Sequence, residues 1–234
     1  MRELLALPQR RFWPWHRFGA EALLRQRLPE AAIAYAEACR DPITGRSEDR
    51  AIDRFCADVL RHVGRSDEAY ERYGLSAAGG ATTLTTYRAL VRDYPERDRR
   101  GVLRDLIATR GEAGKWFAAA KDAGFLDIAL DCARGAGADP ATLVRAARDF
   151  ADSEPRFSVA VALQAIRHLV AGGGYDPSVS VATDAVRHLL AAASRLETAD
   201  WATQEADRLA GSPCAPGREA FQHAVRLALW RPRA

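Results

Sequence analysis

A short helical half-repeat, written at least twice, constrains this chain more than any other feature. Glu30-Ala31-Ala32-Ile33-Ala34-Tyr35 and Glu68-Ala69-Tyr70-Glu71-Arg72-Tyr73 share one pattern, Glu-Ala with a tyrosine four residues beyond the alanine. Gly64 stands four residues before the second glutamate, and Asp41-Pro42 closes the first unit. A unit of this kind buries its apolar face only by stacking on neighbours. Its physical reading is a curved helical surface built to hold something, with no chemistry implied.

Helical periodicity runs from about residue 20 onward. Ile52, Phe55, Cys56, Val59, Leu60 and Val63 fall on one face at 3.6 residues per turn. Ser47 is placed as the N-cap of that helix and Gly64 as its stop. Val102, Leu103, Leu106 and Ile107 repeat the stripe in shorter form. Asp139-Pro140 pairs a cap with proline at the first helical position, and Leu143, Val144, Ala147, Phe150 and Ala151 follow at helical spacing. Residues 155–171 are apolar on most sides, the mark of a central, buried helix. Val161 to Ala171 echoes Val181 to Ala191 at a 20-residue offset, too short for a full hairpin. No segment alternates with period two, so the expected class is all-α.

Composition sets the outer limits. The chain has 234 residues, 48% hydrophobic and 28% charged, ordinary for a globular protein. No apolar run approaches the roughly 20 residues of a membrane span, and the opening Met-Arg-Glu-Leu-Leu-Ala-Leu-Pro is too short for a secretory core. A cytoplasmic location is expected. Cys39, Cys56, Cys132 and Cys214 are widely spaced and read as reduced structural thiols. Lys115 and Lys121 are the only lysines, so arginine carries nearly all the positive charge. The formal net charge of +3 is too small to demand a nucleic-acid partner.

The half-repeat resembles the second helix and exit turn of a tetratricopeptide-type hairpin. The block Gly114-Lys115-Trp116-Phe117 to Ala133, running on to Asp139-Pro140 and Phe150, is similar to a family of uncharacterised bacterial helical-repeat proteins, some of which also carry SWIM-type zinc fingers. The likeness extends more loosely from Glu30 to His188. It implies a right-handed α-α superhelix of tetratricopeptide-like hairpins and no established catalytic residues. The cysteine and histidine spacing of a SWIM finger is absent here. Residues 1–234 are accordingly read as one helical-repeat domain. It comprises a basic and aromatic segment at 1–19, hairpins at 20–80 and a continued superhelix at 81–234.

Two clusters are candidates for partner binding. Lys115, Lys121, Arg145 and Arg148 form a cationic set around Trp116, with Arg145 and Asp149 spaced as an i,i+4 pair. Trp116 itself is expected in the core, leaving the cations to carry contact. Arg10, Arg11, Trp13 and Trp15 belong to an Arg-aromatic run ending at Phe18, which reads as a cap over the end of the superhelix, a docking patch or a base-stacking surface. His16, His62, His168, His188 and His223 form no metal-ligand pair, and no nucleophile-elbow, phosphate-loop or dinucleotide motif is present. The expected function is a non-catalytic protein-protein interaction module, an adaptor or stoichiometric regulator needing no cofactor or metal. The alternative is a nucleic-acid-associated module using an Arg-rich face.

Overall fold

A computed structural model of the chain describes residues 12–40, 46–174 and 177–230. The regular elements among the described residues are all helices, with no strand. The chain divides into two compact units, Met1–Thr109 and Arg110–Ala234. The sequence had suggested a softer division near residue 80.

In the first unit α1 spans Trp13–Arg25, α2 Pro29–Ala38 and α3 Arg46–His62. Next come α4 (Ser66–Ala69), a π turn at Tyr70–Gly74 and α5 (Leu75–Ala77), followed by α6 (Thr83–Asp93) and α7 (Arg99–Arg110). The first described helix therefore starts at Trp13 rather than near residue 20, with Pro14 in the first turn, where a missing N–H costs nothing. Ser47 falls inside α3 rather than ahead of it. Asp41-Pro42 lies outside the described residues. The stripe on α3 is core at Ile52, Cys56, Val59 and Leu60, while Val63 at its end is exposed.

The second unit opens with a 3-10 turn, Ala113–Trp116, running into α8 (Phe117–Asp122) and then α9 (Leu126–Arg134). It continues with α10 (Pro140–Asp149), α11 (Pro155–Val170), α12 (Val179–Arg195), α13 (Ala199–Ala210) and α14 (Glu219–Trp230). Asp139 caps α10, its side chain accepting from the Thr142 amide. As its composition predicted, α11 is central, packed against α9, α10, α12, α13 and α14. Val161, Ile166 and Leu169 are wholly buried on it. Phe157 lies parallel to Phe117 at 6.4 Å and edge-on to Phe150 at 5.2 Å. Buried Ser158 is satisfied through its hydroxyl, which donates to the Ala147 carbonyl at 2.6 Å.

One turn recurs in both units. At Gln26-Arg27-Leu28, Val63-Gly64-Arg65, Ala123-Gly124-Phe125 and Leu196-Glu197-Thr198, the third amide donates to the carbonyl five residues back and the middle amide to the carbonyl three back. This is the Schellman closure of a helix, with the middle residue left-handed. The φ values there are +60° at Arg27, +80° at Gly64, +82° at Gly124 and +57° at Glu197. Only glycine adopts this region without steric cost. A Cβ at Gly124 would meet nothing within 4 Å, so the penalty of Gly124→Ala is the backbone conformation alone. We expect a loss of about 1 kcal/mol, measured by urea unfolding. Glu197→Gly is expected to cost less, because relief of that strain offsets the added freedom of the unfolded chain.

Several hydrogen bonds between neighbouring helical hairpins share one step along the chain. The Trp13 amide reaches Glu48 at 3.5 Å, Arg65 pairs with Glu30, Arg72 reaches Glu37 at 3.3 Å, and the Tyr70 hydroxyl donates to Asp105 at 2.7 Å; every pair is 35 residues apart. In the second unit a His168 ring nitrogen meets the Ala133 carbonyl at 2.7 Å across the same interval. The half-repeat glutamates meet the arginines of this ladder. Glu30 pairs with Arg65, and Glu68 is held by Arg65 and Arg72.

Candidate functional site

The aromatic run near the N-terminus is sorted by the α1 helix. Trp13, 3% exposed, is edge-on to Phe55 of α3 at 5.2 Å. It is a packing residue, so its candidacy as a docking side chain gives way to burial. His16 hydrogen-bonds the Tyr35 hydroxyl at 2.7 Å. Gly19 is buried beside that ring, where a Cβ would stand 3.0 Å from the hydroxyl. Trp15 and Phe18 emerge on the other side, 66% and 64% exposed, and Phe12 meets Trp15 edge-on at 5.6 Å. Positions 15, 18 and 22 share a helix face, so Trp15, Phe18 and Ala22 form one apolar strip. Arg17 beside it pairs with Glu21 at 2.8 Å. Arg10 and Arg11 lie outside the described residues.

The cationic set of the second unit is held locally. Lys115 pairs with Glu112 at 2.8 Å, and Lys121 with Asp122 at 2.5 Å. Lys121 also lies over the Phe150 ring, 5.9 Å from its centre. The expected Arg145–Asp149 pair is replaced by two shorter-range contacts. Arg145 donates to the Thr142 hydroxyl at 2.8 Å, while Arg148 takes Asp149 at 2.8 Å. Thr142 already serves the Asp139 cap, so its oxygen is fixed one turn from Arg145. Arg148 and Asp149 also lie near enough to influence His188, whose pKa is lowered first by burial and then by Arg187. Exposed pairs like these contribute about 0–1 kcal/mol each. They leave Lys115 and Arg148 on the surface and do not converge on a reacting centre.

Trp116 sits among these cations but is buried, 4% exposed. Gly114, two residues before it, explains part of its fixity. The Gly114 amide donates to the Ala136 carbonyl at 3.1 Å, and a Cβ on Gly114 would stand 2.1 Å from the Ala138 nitrogen. Two backbone segments thus touch at a position that admits no side chain.

Buried polar groups elsewhere are built for packing. Asp53 is 6% exposed and bonded by Arg40, whose pKa is raised by that partner against the effect of burial. Burial pushes the Cys56 thiol up to about 12, which keeps it protonated and unreactive. Tyr73 is raised by burial and by its bond to Glu37. No group of three or more His, Cys, Asp or Glu that could hold a metal ion occurs among the described residues.

A second exposed apolar feature escaped the sequence reading. Thr203 and Asp207 of α13 and Leu227 and Trp230 of α14 line an open groove of about 530 Å³. Trp230 is 85% exposed, Leu227 47% and Trp201 53%. Trp230 lies nine residues beyond buried Phe221, on the opposite side of α14 at 3.6 residues per turn, so helical phase is the signal that marks it as surface.

Comparison with protein families, characterised proteins and solved structures finds no match to this chain. Among the described residues no helix is long and apolar enough to cross a membrane.

Proposed function

We propose that this chain is a non-catalytic protein-binding module, an adaptor or stoichiometric regulator of a larger assembly acting in the cytoplasm. Its hairpins are taken as tetratricopeptide-like repeats that stack as a right-handed superhelix within each unit. The 35-residue ladder supports that assignment, because such repeats have a period of 34 residues. The recurrent left-handed turn supports it too, since each turn reverses one helix onto the next.

One observation carries the binding function: Trp15 and Phe18 stand exposed on α1, with Phe12 edge-on to Trp15, while the same helix buries Trp13. Contiguous exposed aromatics mark interaction surfaces, and tryptophan is the residue most enriched at binding hot spots. The neighbouring Arg17 adds a cation at the rim.

The test uses the full chain as bait in extracts of its native host. Wild-type protein is expected to retain a partner in defined stoichiometry that Trp15→Ala/Phe18→Ala loses, while both proteins melt within a degree or two of each other. Retention by the double variant, or no protein partner at all, would overturn the proposal. Retention of nucleic acid, weakening as salt rises, would replace it with the nucleic-acid reading.

A further inference from the structure

A small cavity in the first unit is lined by side chains of α3 and α6 and by the end of the π turn. It measures about 20 Å³, and Asp58, Arg61, Gly74, Leu90, Asp93 and Tyr94 are among its walls. Tyr94 is 4% exposed. Its hydroxyl is sealed from solvent and has no hydrogen-bond partner among the described residues, and the same holds for the Arg61 Nε. The other guanidinium nitrogens of Arg61 are engaged, one with the Asp93 carbonyl at 3.1 Å and one with Asp58 at 2.5 Å. The guanidinium lies over the Tyr94 ring, 5.5 Å from its centre. Two buried polar atoms with unmet capacity therefore belong to residues that line one space.

We infer that this cavity is a binding site for a single internal water, which accepts from the Arg61 Nε–H and hydrogen-bonds the Tyr94 hydroxyl. The volume exceeds the ~10–15 Å³ that admits one water, and such waters typically hold about three hydrogen bonds. Asp58 and Asp93 on the wall supply acceptors for the water's own protons. The lining also selects a neutral occupant. Two carboxylates oppose a halide, and Arg54 with Arg61 opposes a small cation. The site joins α3 and the π turn, through Arg61 and Gly74, to the end of α6, through Tyr94.

Gly74 explains why space remains there. A Cβ at Gly74 would stand 3.3 Å from both the Tyr70 and the Tyr94 rings, so the two tyrosines, edge-on at 5.1 Å, close over a residue without a side chain. The π turn ends at that residue.

The sign of one conservative substitution tests the inference in the full chain. If the hydroxyl binds water, Tyr94→Phe removes a hydrogen bond and lowers the unfolding midpoint by about 2–4 °C. If the hydroxyl is orphaned, removing it relieves a desolvated polar group, and the midpoint rises or stays put; either result overturns the site. Oxygen-17 relaxation dispersion of the solvent gives an independent readout. Wild type is expected to hold one more long-lived water than Tyr94→Phe, and equal counts would overturn the inference. The difference between the two proteins is expected to be the same in chloride and in sulfate buffer. A difference that appears only with chloride would assign the site to an anion instead.

Discussion

Trp116→Ala is expected to destabilise the second unit by about 3–5 kcal/mol, the range for truncating a large buried aromatic. The side chain is 4% exposed and directly precedes Phe117, which is 2% exposed and lies parallel to Phe157. Its loss removes apolar area from the core and leaves a cavity beside the 3-10 turn that begins the unit. Urea unfolding followed by circular dichroism measures the effect. Lys115→Glu and Arg148→Glu are the controls, expected within about 0.5 kcal/mol of wild type because both side chains are exposed. A Trp116→Ala protein as stable as wild type would show that the tryptophan belongs to a contact surface rather than to the core.

Gly114→Ala is the second large effect. The added methyl would approach the Ala138 nitrogen at 2.1 Å and the Ala136 carbonyl oxygen at 2.6 Å. Both obstacles are backbone, so no rotamer change relieves them, and the segment around Ala136 to Ala138 must move. Overpacking of this kind costs about 1–3 kcal/mol, and loss of the Gly114–Ala136 hydrogen bond adds about 1 kcal/mol. A combined loss near the upper end of that range is expected in the same unfolding measurement, together with faster amide exchange at Gly114. Unchanged stability would mean that the contact relaxes at no cost.

Helix content was largely legible because it rests on spacing. The stripe from Ile52 to Leu60, the Asp139-Pro140 start and the all-round apolar character of residues 155–170 each became the helix their pattern describes. Two of these turns were hidden for a physical reason. Arg27 and Glu197 adopt a left-handed conformation that composition associates with glycine, and it is the surrounding hairpin that holds them there. The start of α1 was masked by Pro14 and a crowd of aromatics, which read as a separate segment until Trp13 met Phe55. Exposure was the least legible property. Trp13 and Trp15 are two residues apart in the same chemistry, and only the packing of α3 decides which is buried. The same limit applies to Arg145 and Arg148, whose partners depend on rotamers that i,i+4 spacing leaves open.

The bonds that step 35 residues along the chain have a kinetic meaning as well. Within each unit they join neighbouring hairpins, so the first native contacts to form close only short loops. Folding of such a chain nucleates at whichever neighbouring pair meets first and spreads outward, at the speed typical of locally connected helical proteins. Injury follows the same geography. A lesion in one hairpin loosens its immediate neighbours, and slow-exchange amides are expected to open in hairpin-sized blocks rather than all at once.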